Sequence, residues 1–117
     1  MRKGKKISGG KYIKRRKKKL YESAGQKRIV KLSDKEKRRS KRTMGGNQKT
    51  FMLNVKFVNL PKNKKLEIKN VIETPSNRFL ARQNIITKGT IVETELGKVR
   101  ITNRPTQEGV LNGVLVE

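Results

Sequence analysis

The densest run of chemically competent side chains in this sequence is Lys14-Arg15-Arg16-Lys17-Lys18-Lys19, six consecutive cations with Tyr12 before them and Tyr21 after. Charges this close repel one another unless phosphates neutralise them, and each neutralised phosphate releases condensed counterions. The tyrosines add two rings on which unpaired bases can stack, worth roughly 1–3 kcal/mol each. A solvated tail or a localisation signal carries similar runs. The basic character continues, however, from Lys3, Lys5, Lys6 and Lys11 through Lys37, Arg38, Arg39, Lys41 and Arg42 to Lys49. Contact with nucleic acid is the stronger reading. Two glycine pairs stand beside this charge, Gly9-Gly10 before Lys11 and Gly45-Gly46 before Asn47. Backbone without side chains approaches a phosphate closely, and successive amides can cradle an anion. A plain hinge uses the same residues, and spacing alone does not separate the two. Neither pair matches a P-loop, which needs a four-residue spacer before Gly-Lys-Ser/Thr.

Other chemistries have little to work with. The chain contains no Cys and no His, which removes thiolate nucleophiles, disulfides, imidazole acid–base work and ordinary zinc sites. Glu93 and Glu95 share one face of an expected hairpin with Lys98 and Arg100 opposite, so salt bridging is expected of them rather than paired-carboxylate catalysis. No catalytic residue, metal, cofactor or small-molecule substrate is expected. Lys88 and Arg104 stand beside Gly89 and Pro105 in loops between strands, where cations commonly reach a ligand. With Arg78 and Arg82 they complete the expected contact set.

The elements that hold these residues differ sharply along the chain. The 117 residues suit one small domain, and 32 Lys and Arg against 9 Asp and Glu give a formal charge of +23. Such a chain repels itself and is drawn to polyanions, with an anionic membrane the rival to nucleic acid. No apolar run approaches the roughly 20 residues of a membrane helix. No apolar stretch follows the basic start as in a secretory signal. A cytoplasmic polyanion, not a membrane, is therefore the expected partner.

Residues 1–50 hold 21 cations and 3 acids, a net +18, whereas residues 51–117 hold 11 and 6, a net +5. Low hydrophobicity with high charge leaves too little burial to offset chain entropy. Residues 1–45 are thus expected to be a basic extension that is disordered without a polyanion. Ser33 with Glu36 resembles a capping box, so Lys35–Lys41 is expected as a short basic helix.

Residues 46–117 read as a β domain. Phe51 to Phe57 alternate apolar and polar positions, the period of a half-buried strand. Residues 59–64 form a turn. Leu66, Ile68 and Ile72 mark a second strand, ended by Thr74-Pro75-Ser76-Asn77. A two-residue loop at Leu96-Gly97 sets Glu95 against Lys98, Thr94 against Val99, Glu93 against Arg100 and Val92 against Ile101. Val110 to Val116 is nearly continuous apolar sequence and reads as a strand buried on both faces or central in its sheet. Short strands between Gly and Pro turns suggest a mainly-β class: a small β-barrel or closed sheet carrying a long, mostly non-regular basic extension.

The ordered series of motifs resembles the S8e family of small-subunit ribosomal proteins, in its short archaeal form. It runs Ser8-Gly9-Gly10-Lys11, Arg15 to Tyr21, Arg42-Thr43-Met44-Gly45-Gly46-Asn47, Asn84 to Gly89, Glu93 to Gly97, Arg104-Pro105, Gln107, Gly109, Asn112 and Val114-Leu115-Val116. The resemblance implies a β-barrel-like body and a basic extension threaded among small-subunit rRNA helices beside neighbouring ribosomal proteins, in the cytoplasm. Met44 and Gln83 depart from the family pattern at positions that are usually cationic. A long insertion resembling a eukaryotic feature of the family is missing. A DNA-compacting, chromatin-like protein is the alternative, but no helix-turn-helix, zinc finger or zipper accompanies the basic tail. An RNA-modifying enzyme finds no catalytic groups.

Overall fold

The computed structural model describes residues 4–12, 16–62 and 64–116. Its architecture is mainly β, as composition and turn spacing suggest, and it consists of two sheets that share one core. The alternating stretch beginning at Phe51 is not a single strand. It breaks at Lys56 into β3, whose span is Gln48–Val55, and β4, Phe57–Leu60, which belong to different sheets. The central strand of the smaller sheet is β3, with β1 (Lys31–Leu32) parallel on one side and β2 (Lys37–Arg42) antiparallel on the other. The larger sheet runs β4, β5 (Lys64–Glu73), β6 (Ile91–Thr94), β7 (Gly97–Ile101) and β8 (Gly113–Leu115) in spatial order. It curls until its outer strands approach. The Asn59 amide donates to the Leu111 carbonyl at 2.8 Å, and Asn59 bridges Asn112 in parallel. The sheet is therefore a nearly closed barrel.

Val30, just ahead of β1, and Met52 and Val55 of β3 meet Val58, Ile68, Val71, Val92, Val99 and Ile101 of the larger sheet and Ile86 and Leu111 of its connections in that core. Val30 is fully buried, and its carbonyl accepts from the Ile86 amide at 2.9 Å. The packed body thus takes in residues well ahead of the composition change near residue 45. Average polarity misses this, because the contact needs only Val30, buried just ahead of β1, and the partly buried Leu32 within it.

Five local expectations are corrected. The stretch expected as a basic helix, Lys35–Lys41, lies largely in β2. A helix would stack Lys35 on Arg39, Lys37 on Lys41 and Arg38 on Arg42, like charges four residues apart; a strand spreads them over two faces. Ile72 is 42% exposed while Val71 is buried. Register shifts in the β5–β6 pairing, with Asn70 Oδ1 accepting from the Val71 amide at 2.9 Å, interrupt the alternation and exchange the faces.

The β6–β7 hairpin keeps its two faces but turns one residue earlier on each strand. Thr94 pairs with Gly97, Glu93 with Lys98, Val92 with Val99 and Ile91 with Arg100, so Glu95-Leu96 is the loop. Thr94 Oγ1 donates to the Gly97 carbonyl at 2.8 Å, and Gly97 takes φ +118, which a side chain resists. The salt bridges expected of Glu93 and Glu95 do not form among the described residues. The stretch expected to be buried on both faces or central, Val110–Val116, supplies only the short end strand β8, and Val114, Leu115 and Val116 remain 47%, 48% and 40% exposed. As the end strand of its sheet, β8 has a hydrogen-bonded neighbour strand, β7, on one side only. A five-residue helix, α1 (Arg78–Arg82), follows the turn at Thr74–Asn77. The Asn77 side chain caps it by accepting from the Phe79 amide at 3.0 Å.

Candidate nucleic-acid interface

The arm ahead of residue 28 makes few apolar contacts and shapes itself locally. Lys5 and Lys11 pair across a tight loop in which the Lys6 amide donates to the Gly10 carbonyl and the Gly9 amide to the Lys6 carbonyl, both at 2.8 Å. Gly9 sits at φ +78 while Gly10 does not, so the turn itself favours glycine at the first position of the pair. Tyr12 follows, exposed. Lys3, Lys14 and Arg15 lie outside the described residues. Arg16, Lys17, Lys18 and Lys19 lead into a single 3₁₀ turn, Leu20–Glu22. Arg16 donates to Glu22 at 2.6 Å and the Lys19 amide to the same carboxylate at 3.0 Å. The guanidinium, then the amide, hold the Glu22 carboxyl below its usual value. Tyr21 is 77% exposed, with the Lys19 ammonium 5.8 Å from its ring centroid.

The second cationic group sits on β2 and β3. Lys37, Arg38, Arg39, Lys41 and Arg42 are all exposed. The connection to β3 turns over Gly45 and Gly46, at φ +79 and +81, and is tied by the Thr43 amide and hydroxyl donating to the Asn47 carbonyl at 2.7 and 2.9 Å. Lys41 lies directly opposite Lys49 in the ladder. Like charges in that position are destabilising by themselves. Among the described residues, ion pairs within 4 Å engage Arg16 with Glu22, Arg38 with Glu36 and Lys56 with Glu67. Neither Lys41 nor Lys49 is in that set.

Arg28, which sequence reasoning did not single out, completes this region. Its guanidinium carbon lies 3.8 Å from the Phe51 ring centroid, and Arg28, Lys41, Arg42, Thr43, Met44, Lys49 and Phe51 line one cleft. The available signal was the alternation of Val30 and Leu32 just after it, which marks where the arm joins the body. Met44 is a fully exposed thioether at the rim of this cleft. The remaining expected residues lie apart. Arg78 and Arg82 project from α1 beside Asn70 and Asn84, with Gln83 as its C-terminal cap. Lys88 borders a groove with Arg100 and Val114 to Val116. Arg104 is exposed on the loop whose carbonyl accepts from the Gln107 and Glu108 amides. The structure therefore gathers Lys41, Arg42 and Lys49 into one site and leaves the others distributed.

The family model for ribosomal protein S8e matches residues 1–116. The chain belongs to the ribosomal protein S8e family. Members of this family are structural components of the ribosome and not enzymes, in keeping with the absence of imidazole and thiol from the chain. Among curated S8e relatives, the small ribosomal subunit protein eS8 of Staphylothermus marinus is 46% identical over 117 residues, covering 96% of this chain and 91% of its own. The protein of the same name from Pyrobaculum aerophilum is 44% identical, covering 97% and 91%. That from Sulfolobus acidocaldarius is 40% identical, covering 95% and 91%. The S8e match thus spans both the basic arm and the barrel.

Proposed function

We propose that this S8e-family chain is a cytoplasmic constituent of the small ribosomal subunit that binds and stabilises small-subunit rRNA beside neighbouring ribosomal proteins. The names of its relatives support the placement, and the uncompensated Lys41–Lys49 pair carries the mechanism. A ladder that sets Lys41 opposite Lys49 brings like charges to neighbouring positions at a cost in the isolated protein, and bound phosphate offsets that cost. The exposed arm acts the same way. With a radius of gyration of 21.2 Å, against roughly 13 Å for a compact chain of this length, the protein presents its cations over a long path. The arm ahead of residue 28 takes a lasting shape only among phosphates, while the barrel fixes where it enters. Phosphate contacts position a protein without reading bases, so binding is steeply salt-dependent and weakly sequence-dependent.

Two measurements test this. In a sucrose gradient of cell lysate, the protein tracked by mass spectrometry migrates with small subunits; its remaining at the top refutes the placement. Titration against rRNA fragments at several salt concentrations gives a steep log–log slope, which shallows when residues 1–26 are removed. An unchanged slope refutes the arm's role.

A further inference from the structure

Arg28 is held in an unusual way for an exposed cation. Its guanidinium carbon sits over the Phe51 ring, 3.8 Å from the centroid, the ring beneath is 6% exposed, and Nη1 donates to the Thr106 carbonyl at 3.5 Å. One face and one edge are therefore fixed, while the residue as a whole stays exposed. Lys49 is anchored nearby, its ammonium 3.5 Å from Gln107 Oε1, and Lys41 and Arg42 complete the wall. No carboxylate lines this cleft among the described residues.

A guanidinium plane pinned on a ring offers its second face to another planar group, and unpaired bases stack on such planes. The surrounding cations supply what the same nucleotide needs on either side, since its phosphates stay attached when its base leaves a helix. A continuous duplex has no base to offer, because its bases are stacked inside.

We infer that the Arg28–Phe51 stack is a platform for one extruded, unpaired RNA nucleotide, its base on the outer face of Arg28 and its flanking phosphates on Lys41, Arg42 and Lys49. The inference rests on the RNA-binding reading above and deepens it: the arm accepts any phosphate backbone, whereas this cleft selects a bulged or looped-out residue. Arginine is required because lysine keeps the charge but presents no plane.

The test uses the full chain and two RNA duplexes alike except for one single-nucleotide bulge, occupied by 2-aminopurine. Affinity is read by anisotropy and stacking by quenching of the 2-aminopurine. The bulged RNA binds roughly 5- to 150-fold more tightly than the plain duplex, with quenching on binding. In Arg28→Lys the ratio of the two affinities falls to about one and the quench is lost, while the thermal melting of the protein shows that it remains folded. Equal binding of both RNAs by the parent chain overturns the platform alone. So does a ratio that survives in Arg28→Lys, which makes Arg28 only a clasp between arm and body. A parent chain that binds neither RNA overturns the wider reading, and the platform falls with it.

Discussion

Replacing Gly113 by alanine adds one methyl group at the seam where the barrel closes. Gly113 begins β8 and pairs with Ile101 of β7, close to the Asn59–Asn112 bridge that joins the sheet's outer strands. A Cβ there collides with Val99 Cγ1 and lies 3.1 Å from the Arg100 carbonyl oxygen and 3.1 Å from Val58 Cγ2. Val99 and Val58 are fully buried, so neither can swing into solvent, and the Arg100 oxygen is backbone. Gly113 is not among the residues with positive φ, so alanine adopts its conformation without strain and the perturbation is steric. Overpacking of this kind costs about 1–3 kcal/mol, and the immovable neighbours place it at the upper end. Stiffening of the unfolded chain by alanine returns about 0.4–1 kcal/mol. The net loss is about 2 kcal/mol, which for a body of this size lowers the melting temperature by roughly 8–16 °C. Far-UV circular dichroism measures it directly. Gly25→Ala is the control, since nothing lies within 4 Å of its Cβ. A Gly113→Ala protein that melts with the control refutes the packing described for the seam.

Further outcomes follow from other contacts. Val30→Ala destabilises the protein by about 2 kcal/mol in urea, because Val30 is fully buried in the shared core; no change in the midpoint places it outside that core. Thr74 buries a hydroxyl with no hydrogen-bond partner among the described residues, whereas Thr90 Oγ1 accepts from the Thr87 amide at 3.0 Å. Thr74→Val is therefore neutral or stabilising by up to about 2 kcal/mol and Thr90→Val costs about 1–3 kcal/mol, an ordering that thermal melts compare. Glu22, whose carboxyl titrates below its ordinary value near 4.5, supports its turn fully above that value. The support is lost as pH falls below it through the depressed value of the folded state. In Arg16→Gln the Glu22 midpoint, followed by carboxyl NMR, rises toward the ordinary value.

Much of the barrel was legible because its signals are local. The alternation in Val92, Thr94, Val99 and Ile101 fixes which side chains face inward, whatever the exact turn. The register itself escaped, since Glu95-Leu96 and Leu96-Gly97 both make two-residue loops and only the Thr94 hydroxyl contact selects between them. The switch at Lys56 was hidden because one run of alternating residues serves two sheets. In the interface, the cations of β2 were evident from composition, but their pairing was not. Lys41 meets Lys49 only once a hairpin exists, and Arg28 meets Phe51 across 22 intervening residues. Contacts of that kind belong to tertiary structure.

The outermost position of β2 has a consequence for the protein before it reaches its partner. An open strand edge exposes unsatisfied amides and carbonyls and invites a second copy to add on. Five of the six residues on this edge are lysine or arginine. A sister molecule approaching it brings the same charge and is turned away, whereas a sugar-phosphate chain is drawn in. Newly made copies can thus stay apart in solution until the polymer they serve arrives.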